Sequence, residues 1–336
     1  MENFTKTVAN CRAFLKSGSR DRMVFRNMDQ NGSVEYDYSI PSGARVKIRV
    51  DKALEGINFD MYPGIRIQSH FELMAVEYCQ RVNNLFSVGI LIIDEDSREV
   101  YYHIESLFTD DNPIEVSFLE RIEAEAVRVL GKHSVVLNSL AGGKLPPWEA
   151  LSKAIEEDEA SALWSYSAEE QAVLDAQVEC IQQYCLGDYN INAVSELLGC
   201  EESSLQYGAV TQSEFQDFLF IWNGFLICAS RMTQRCSAEW MAATASFCNR
   251  YSSHRRMGVL MLANGYPCYV VKTFIASGPN SISNDTLNTV LGLTHCMLYQ
   301  ISNLLMNLCL GVSIDDKELY YICRGLSPSL GTQADE

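Results

Sequence analysis

Two stretches of this 336-residue chain are versions of one pattern, and that duplication limits the possible folds more than any other feature. EYCQRVNNLFSVGILIIDEDSREVYYHIESLF, from Glu77, aligns with SFCNRYSSHRRMGVLMLANGYPCYVVKTFIAS, from Ser246. Tyr78, Cys79, Gln80 and Arg81 meet Phe247, Cys248, Asn249 and Arg250. Gly89-Ile90-Leu91-Ile92-Ile93 meets Gly258-Val259-Leu260-Met261-Leu262. The turns Asp94–Ser97 and Ala263–Tyr266 then coincide, and two β-branched and aromatic runs follow in register. With one residue of slippage, VSFLERI at Val116 meets NDTLNTV at Asn284. Chance similarity does not preserve order, spacing and turn chemistry together.

Each copy reads as helix, three strands, helix, hairpin, helix: an α+β fold with an antiparallel sheet and helices packed on one face. In the first copy Phe4, Val8, Cys11 and Leu15 repeat at helical spacing. Asn31-Gly32 and Pro41-Ser42-Gly43 break the next stretch into strand-length runs, and Tyr36, Tyr38 and Ile40 alternate with polar residues. A further strand is expected near 57–67. Ser69 and Glu72 form a capping box before a helix with Phe71, Met74, Ala75, Tyr78 and Val82 on its buried stripe. Strands over 86–94 and 98–108 make the hairpin. Asn112 is expected to cap a closing helix with Pro113 in its first turn and Gly131 just past its end.

The domains are therefore 1–138 and 166–324, with a linker at 139–165 that holds Gly-Gly, Pro-Pro, an acidic run and a short helix from Trp148. The second copy opens with a helix near Ala168, followed by weaker strands near 187–194, 204–211 and 216–230. The tail, 325–336, is expected to be loose.

The net charge of −17 argues against nucleic acid and anionic membranes as partners, since phosphate binding needs a concentrated basic surface. The excess acid lies largely between Glu149 and Glu202, where Lys153 is the only basic residue. It reads as a solvated linker or as a surface that steers basic partners. The N-terminal stretch lacks the apolar run of a secretory signal. Residues 287–310 are broadly amphipathic, which does not fit a membrane span. Twelve cysteines without C-x-x-C or finger-like spacing read as unpaired thiols in a reducing cytoplasm.

No catalytic, metal or cofactor site is expected, so the chain reads as no enzyme. Gly142-Gly143-Lys144 lacks the upstream glycine and following hydroxyl of a phosphate loop. Only five histidines occur, and none is shared by the copies. A cysteine nucleophile served by a distant histidine is the third-ranked alternative. The charged pair kept in both copies, Arg81 and Arg250, is explained by a helix C-terminus or by a ligand or partner contact. The last long helix is apolar around most of its circumference and requires cover beyond its own sheet. Leu291, Met297, Leu298 and Leu305 are therefore candidate partner-facing residues. The cover is the sister domain or linker, a homodimer seam, or a client segment.

GILIIDEDSREVYYHIESLF followed by a helix, and VLMLANGYPCYVVKTFIAS in the second copy, resemble the YbjN domain family as a tandem pair over about 250 residues. The resemblance implies a type III secretion chaperone-like fold and the bacterial family's label of sensory transduction regulator. It also implies a small acidic adaptor that binds protein and carries no catalytic residues. The expected function is a protein-interaction module, chaperone-like or regulatory. Its halves form an internal pseudo-dimer, the whole being a monomer or homodimer. The alternative is a small-ligand sensor with a pocket between sheet and helices.

Overall fold

The computed structural model describes residues 2–17, 21–26, 32–85, 87–108, 113–146, 150–152, 164–184, 207–212, 215–255, 257–275 and 283–324. The strand expected at 187–194, the cap at Asn112, Trp148 and the tail lie outside these residues.

The first half runs α1 (Glu2–Ser17), β1 (Asp21–Arg26), β2 (Val34–Ser39), β3 (Arg45–Asp51), β4 (Gly56–Tyr62), α2 (Glu72–Val82), β5 (Ile90–Ile93), β6 (Val100–Leu107) and α3 (Val116–Ala141). The second runs α4 (Ala168–Tyr184), β7 (Tyr207–Gln212), β8 (Gln216–Trp222), β9 (Phe225–Arg231), α5 (Met241–Ser253), β10 (Val259–Ala263), β11 (Tyr266–Phe274), α6 (Asn284–Cys309) and α7 (Asp316–Cys323).

Both sheets are antiparallel. Their strand orders are β1-β2-β3-β4-β6-β5 and β10-β11-β9-β8-β7. Read from the other end, the second is β7-β8-β9-β11-β10, which matches β2-β3-β4-β6-β5 strand for strand. The matching extends to helices: α3 packs on β4 and β6, and α6 on the corresponding β9 and β11. α2 packs on β5 as α5 does on β10.

Several local expectations change. The capping box at Ser69 does not form. Residues Ser69–Phe71 make a 3-10 turn and α2 starts at Glu72, with no side-chain cap at either start. α3 begins at Val116 and continues through Gly131, whose Cβ position is open, to Ala141. A single glycine costs a helix about 1 kcal/mol, too little to end one held by Leu130, Val136 and Leu137 in the core. The run at 216–230 is two strands, with Asn223 (φ 50°) and Gly224 (φ 75°) in the two-residue turn. Every residue of β9 is buried, so the period-2 alternation of a half-exposed strand is missing there.

The copies also slip past each other after the hairpin turn. Ile93 pairs with Val100, leaving six residues between, whereas Ala263 pairs with Tyr266 across Asn264-Gly265. Ile93 and Leu262 are equivalent, so Val100 corresponds to Pro267, two residues earlier than an ungapped alignment puts it. Tyr102 then corresponds to Tyr269, and Glu105 to Lys272. The hydroxyls confirm this register: Tyr102 accepts from Gly89 N–H at 2.9 Å, and Tyr269 donates to Met257 O at 2.6 Å. Gly258 has φ +76°, and a Cβ there would lie 2.4 Å from the Tyr269 ring. Backbone angle and close approach both demand glycine.

Candidate functional site

The two halves meet through equivalent pieces. α2 packs on α5, α5 reaches β5, and β6 lies against β11. β5 and β10 are the edge strands of their sheets, and an edge has unpaired backbone groups that need partners. Each half caps its own edge once. Asn83 Nδ2 donates to Leu91 O at 2.8 Å and Asn83 Oδ1 accepts from Leu91 N–H at 2.7 Å. Ser252 Oγ makes the same two bonds to Leu260, at 3.0 and 2.9 Å.

The second cap comes from the other half. Asn249 on α5 accepts from Ile93 N–H at 3.0 Å and donates to Ile93 O at 2.8 Å. Gln80 on α2, the equivalent of Asn249, accepts at 3.2 Å from the N–H of Leu262, the equivalent of Ile93. The exchange is reciprocal, as in the isologous contact of a two-fold dimer. Both amides are buried.

Glu105 and Lys272 repeat the pattern with opposite charge. Glu105 Oε2 accepts from Gly258 N–H at 2.6 Å, and Lys272 Nζ donates to Ser87 O. Burial pulls Lys272 down to about 7, against the opposing pull of the Glu105 carboxylate. His103 lies between Asp60 (2.6 Å) and Glu105 (3.7 Å). Burial alone lowers it, but Asp60, with Glu105 behind it, raises it to about 10. Phe118 of α3 stacks on Phe274 of β11 with centroids 4.4 Å apart, and Trp164 and Phe225 complete that cluster.

Arg81 and Arg250 occupy equivalent places with different surroundings. Arg250 Nε lies 2.9 Å from Glu95 Oε1, and His254 Nε2 is 2.5 Å from the same carboxylate. This side of the seam is further tied by Arg324 of the α7 end to Asp96 at 2.7 Å. Arg81 instead turns back along α2 to Glu77, at 2.6 Å, and its side chain is 62% exposed. Dipole alone does not account for Arg250, which bridges the halves.

Two hollows adjoin Arg81 and share Glu77. An apolar groove of about 500 Å³ lies between α2, the end of α3 and Leu145, Pro146 and Leu151. Met74, Tyr78, Val136, Leu140, Leu145 and Leu151 line it. Leu145 is 70% exposed, and Met74, which lines the same groove, is exposed as well. A cavity of about 360 Å³ lies on the other side, at the seam.

The long helix α6 gives a correction. Leu298 and Leu305 are fully buried, packed into the core, and Leu291 and Met297 are half-buried against it. α6 lies across β8, β9 and β11 and touches α5, and this surface absorbs its wide apolar stripe. Asn288, Asn303 and Asn307 remain exposed.

Chemistry is sparse. Burial pushes the Cys11, Cys79 and Cys268 thiols up to about 12, away from the thiolate a nucleophile needs. His295 Nδ1 lies 3.1 Å from Asp217, and Ser230 Oγ donates to the same carboxylate at 2.5 Å. The carboxylate thus sits between hydroxyl and imidazole, the wrong order for a base on a nucleophile. Among the described residues no cluster of three or more His, Cys, Asp or Glu is placed to hold a metal ion. No helix among them is long and apolar enough to cross a membrane.

No protein-family model matches the chain, that of the YbjN domain included, and no curated protein matches it. Seven solved chains are similar. One belongs to the "Structure of the HopA1-SchA Chaperone-Effector Complex", with 18% identity over 38% of this chain and 91% of that one, at a TM-score of 0.29.

Proposed function

We propose that the chain is a non-enzymatic protein-interaction module, a chaperone-like or regulatory adaptor of YbjN type, whose two halves act as an internal pseudo-dimer. In this reading the paired units are 1–138 and 166–324, the first extended to the end of α3 at Ala141. The groove beside α2 carries this reading. It is concave and apolar, with exposed Met74 and Leu145 and a charged pair, Glu77 and Arg81, among its lining residues. A contiguous exposed apolar patch with a polar edge marks a surface that binds another chain. Buried thiols with raised pKa and the misordered Ser230–Asp217–His295 set favour binding over catalysis.

The experiment places a photo-crosslinking amino acid at Leu145 in the full chain within cells, with Glu318 on α7 as control position. A discrete protein adduct from position 145, absent from position 318 and lost with Met74→Asp, is the expected result. If position 145 yields no adduct beyond those of position 318, the reading fails.

A further inference from the structure

The internal symmetry lets one side of the seam interpret the other. On the first side, the chain supplies a carboxylate: Glu95 reaches across to Arg250 and His254. Carried through the duplication, Glu95 corresponds to Asn264, Arg250 to Arg81, and His254 to Leu85. The second side therefore keeps the arginine and lacks the acid. Arg81 pairs instead with Glu77 of its own helix. Where the sister side has its ion pair, the 360 Å³ cavity opens.

Its walls suit a particular chemistry. Arg81, Asn84 and Asn264 are among its polar lining residues, and Leu85, Met241 and Ala245 among its apolar ones. A second guanidinium, that of Arg231, also lines it. Gln216 Oε1 holds this group at 2.6 and 3.1 Å, with the rings of Phe218 and Tyr266 at 5.0 and 4.7 Å from it. Two guanidiniums against one lining carboxylate, Glu77, leave a local positive excess in a chain of net charge −17. The volume falls within the range of small-molecule pockets.

We propose that this cavity binds a small organic carboxylate with an apolar body, whose carboxylate takes at Arg81 the place that Glu95 takes at Arg250. The ligand's carboxylate displaces Glu77 from Arg81, and its body lies on Leu85, Met241 and Ala245. Glu77 is thus a built-in competitor. The site lies at the seam between halves, and not between a sheet and its own helices.

Calorimetric titration of the full chain with benzoate tests this, with benzamide as the uncharged probe of the same shape. Benzoate binds saturably and benzamide at least ~10-fold more weakly, as expected for loss of a charge-assisted hydrogen bond. Arg81→Gln weakens benzoate by a similar factor. Glu77→Gln strengthens it several-fold, which no folding defect mimics. Asn264→Asp keeps the turn chemistry, supplies an internal carboxylate and weakens benzoate. Absence of saturable benzoate binding, equal binding of the two probes, or indifference to Arg81→Gln overturns the proposal. Met74 and Leu145 do not line this cavity, so its failure leaves the groove's partner standing.

Discussion

Asn249→Ala removes the two-bond cap that α5 places on the edge of the other half's sheet. The amide makes two bonds to Ile93, at 3.0 and 2.8 Å, and both residues are buried. Truncation leaves an N–H and a C=O of an edge strand without those partners, each costing about 1–3 kcal/mol when left unpaired away from water. The shortened side chain leaves room for a water that recovers part of this, so the expected loss is about 2–4 kcal/mol. Gln80→Ala removes one longer bond, at 3.2 Å, and should cost about 1–2 kcal/mol. Urea unfolding of the full chain measures both, and amide exchange at Ile93 reports the first locally. A loss below about 0.5 kcal/mol for Asn249→Ala, the scale of an ordinary surface substitution, would refute the reasoning.

The two perturbed groups at the seam oppose each other in pH. His103 has a folded pKa of about 10 against 6.5, so its stabilisation is complete below 6.5 and is lost as pH rises towards 10. Lys272 is at about 7 against 10.5, so its penalty is complete below 7 and is relieved as pH rises towards 10.5. Between pH 7 and 10, His103→Gln should therefore gain stability with pH and Lys272→Met should lose it; parallel urea midpoints for the two variants would contradict this. Leu298→Ala should cost about 2–5 kcal/mol in the same assay because the side chain is fully buried. Leu145→Asp, at an exposed rim position, should change stability by no more than about 0.5 kcal/mol. Gly258→Ala meets both a positive φ and the Tyr269 ring and should cost more stability in the same assay than Gly43→Ala, where φ is also positive but the Cβ position is open.

The shared strand order was legible in the sequence because glycine, turn and helix residues recur at fixed spacing around Gly89 and Gly258. The register after the turn was not, since a two-residue Asn-Gly turn and a six-residue one both leave apolar alternation intact. That slip hid the equivalence of Glu105 and Lys272. Gln80 and Asn249 read as ordinary polar helix positions, because nothing in a lone sequence shows that a foreign strand edge faces them. α6 misled in the opposite sense. Leu298 and Leu305 looked available to a partner, yet a helix laid across three strands buries a wider stripe than a helix that touches one. The groove drew no attention because its apolar residues, Met74, Val136 and Leu145, come from three separated segments.

The reciprocal seam is tested most directly by nuclear Overhauser contacts in the deuterated, amide-protonated full chain. Cross-peaks should link the side-chain amide of Asn249 to the Ile93 N–H, and that of Gln80 to the Leu262 N–H. Cross-peaks from Asn249 only to residues 164–324, and from Gln80 only to residues 2–146, would show that the halves do not exchange caps.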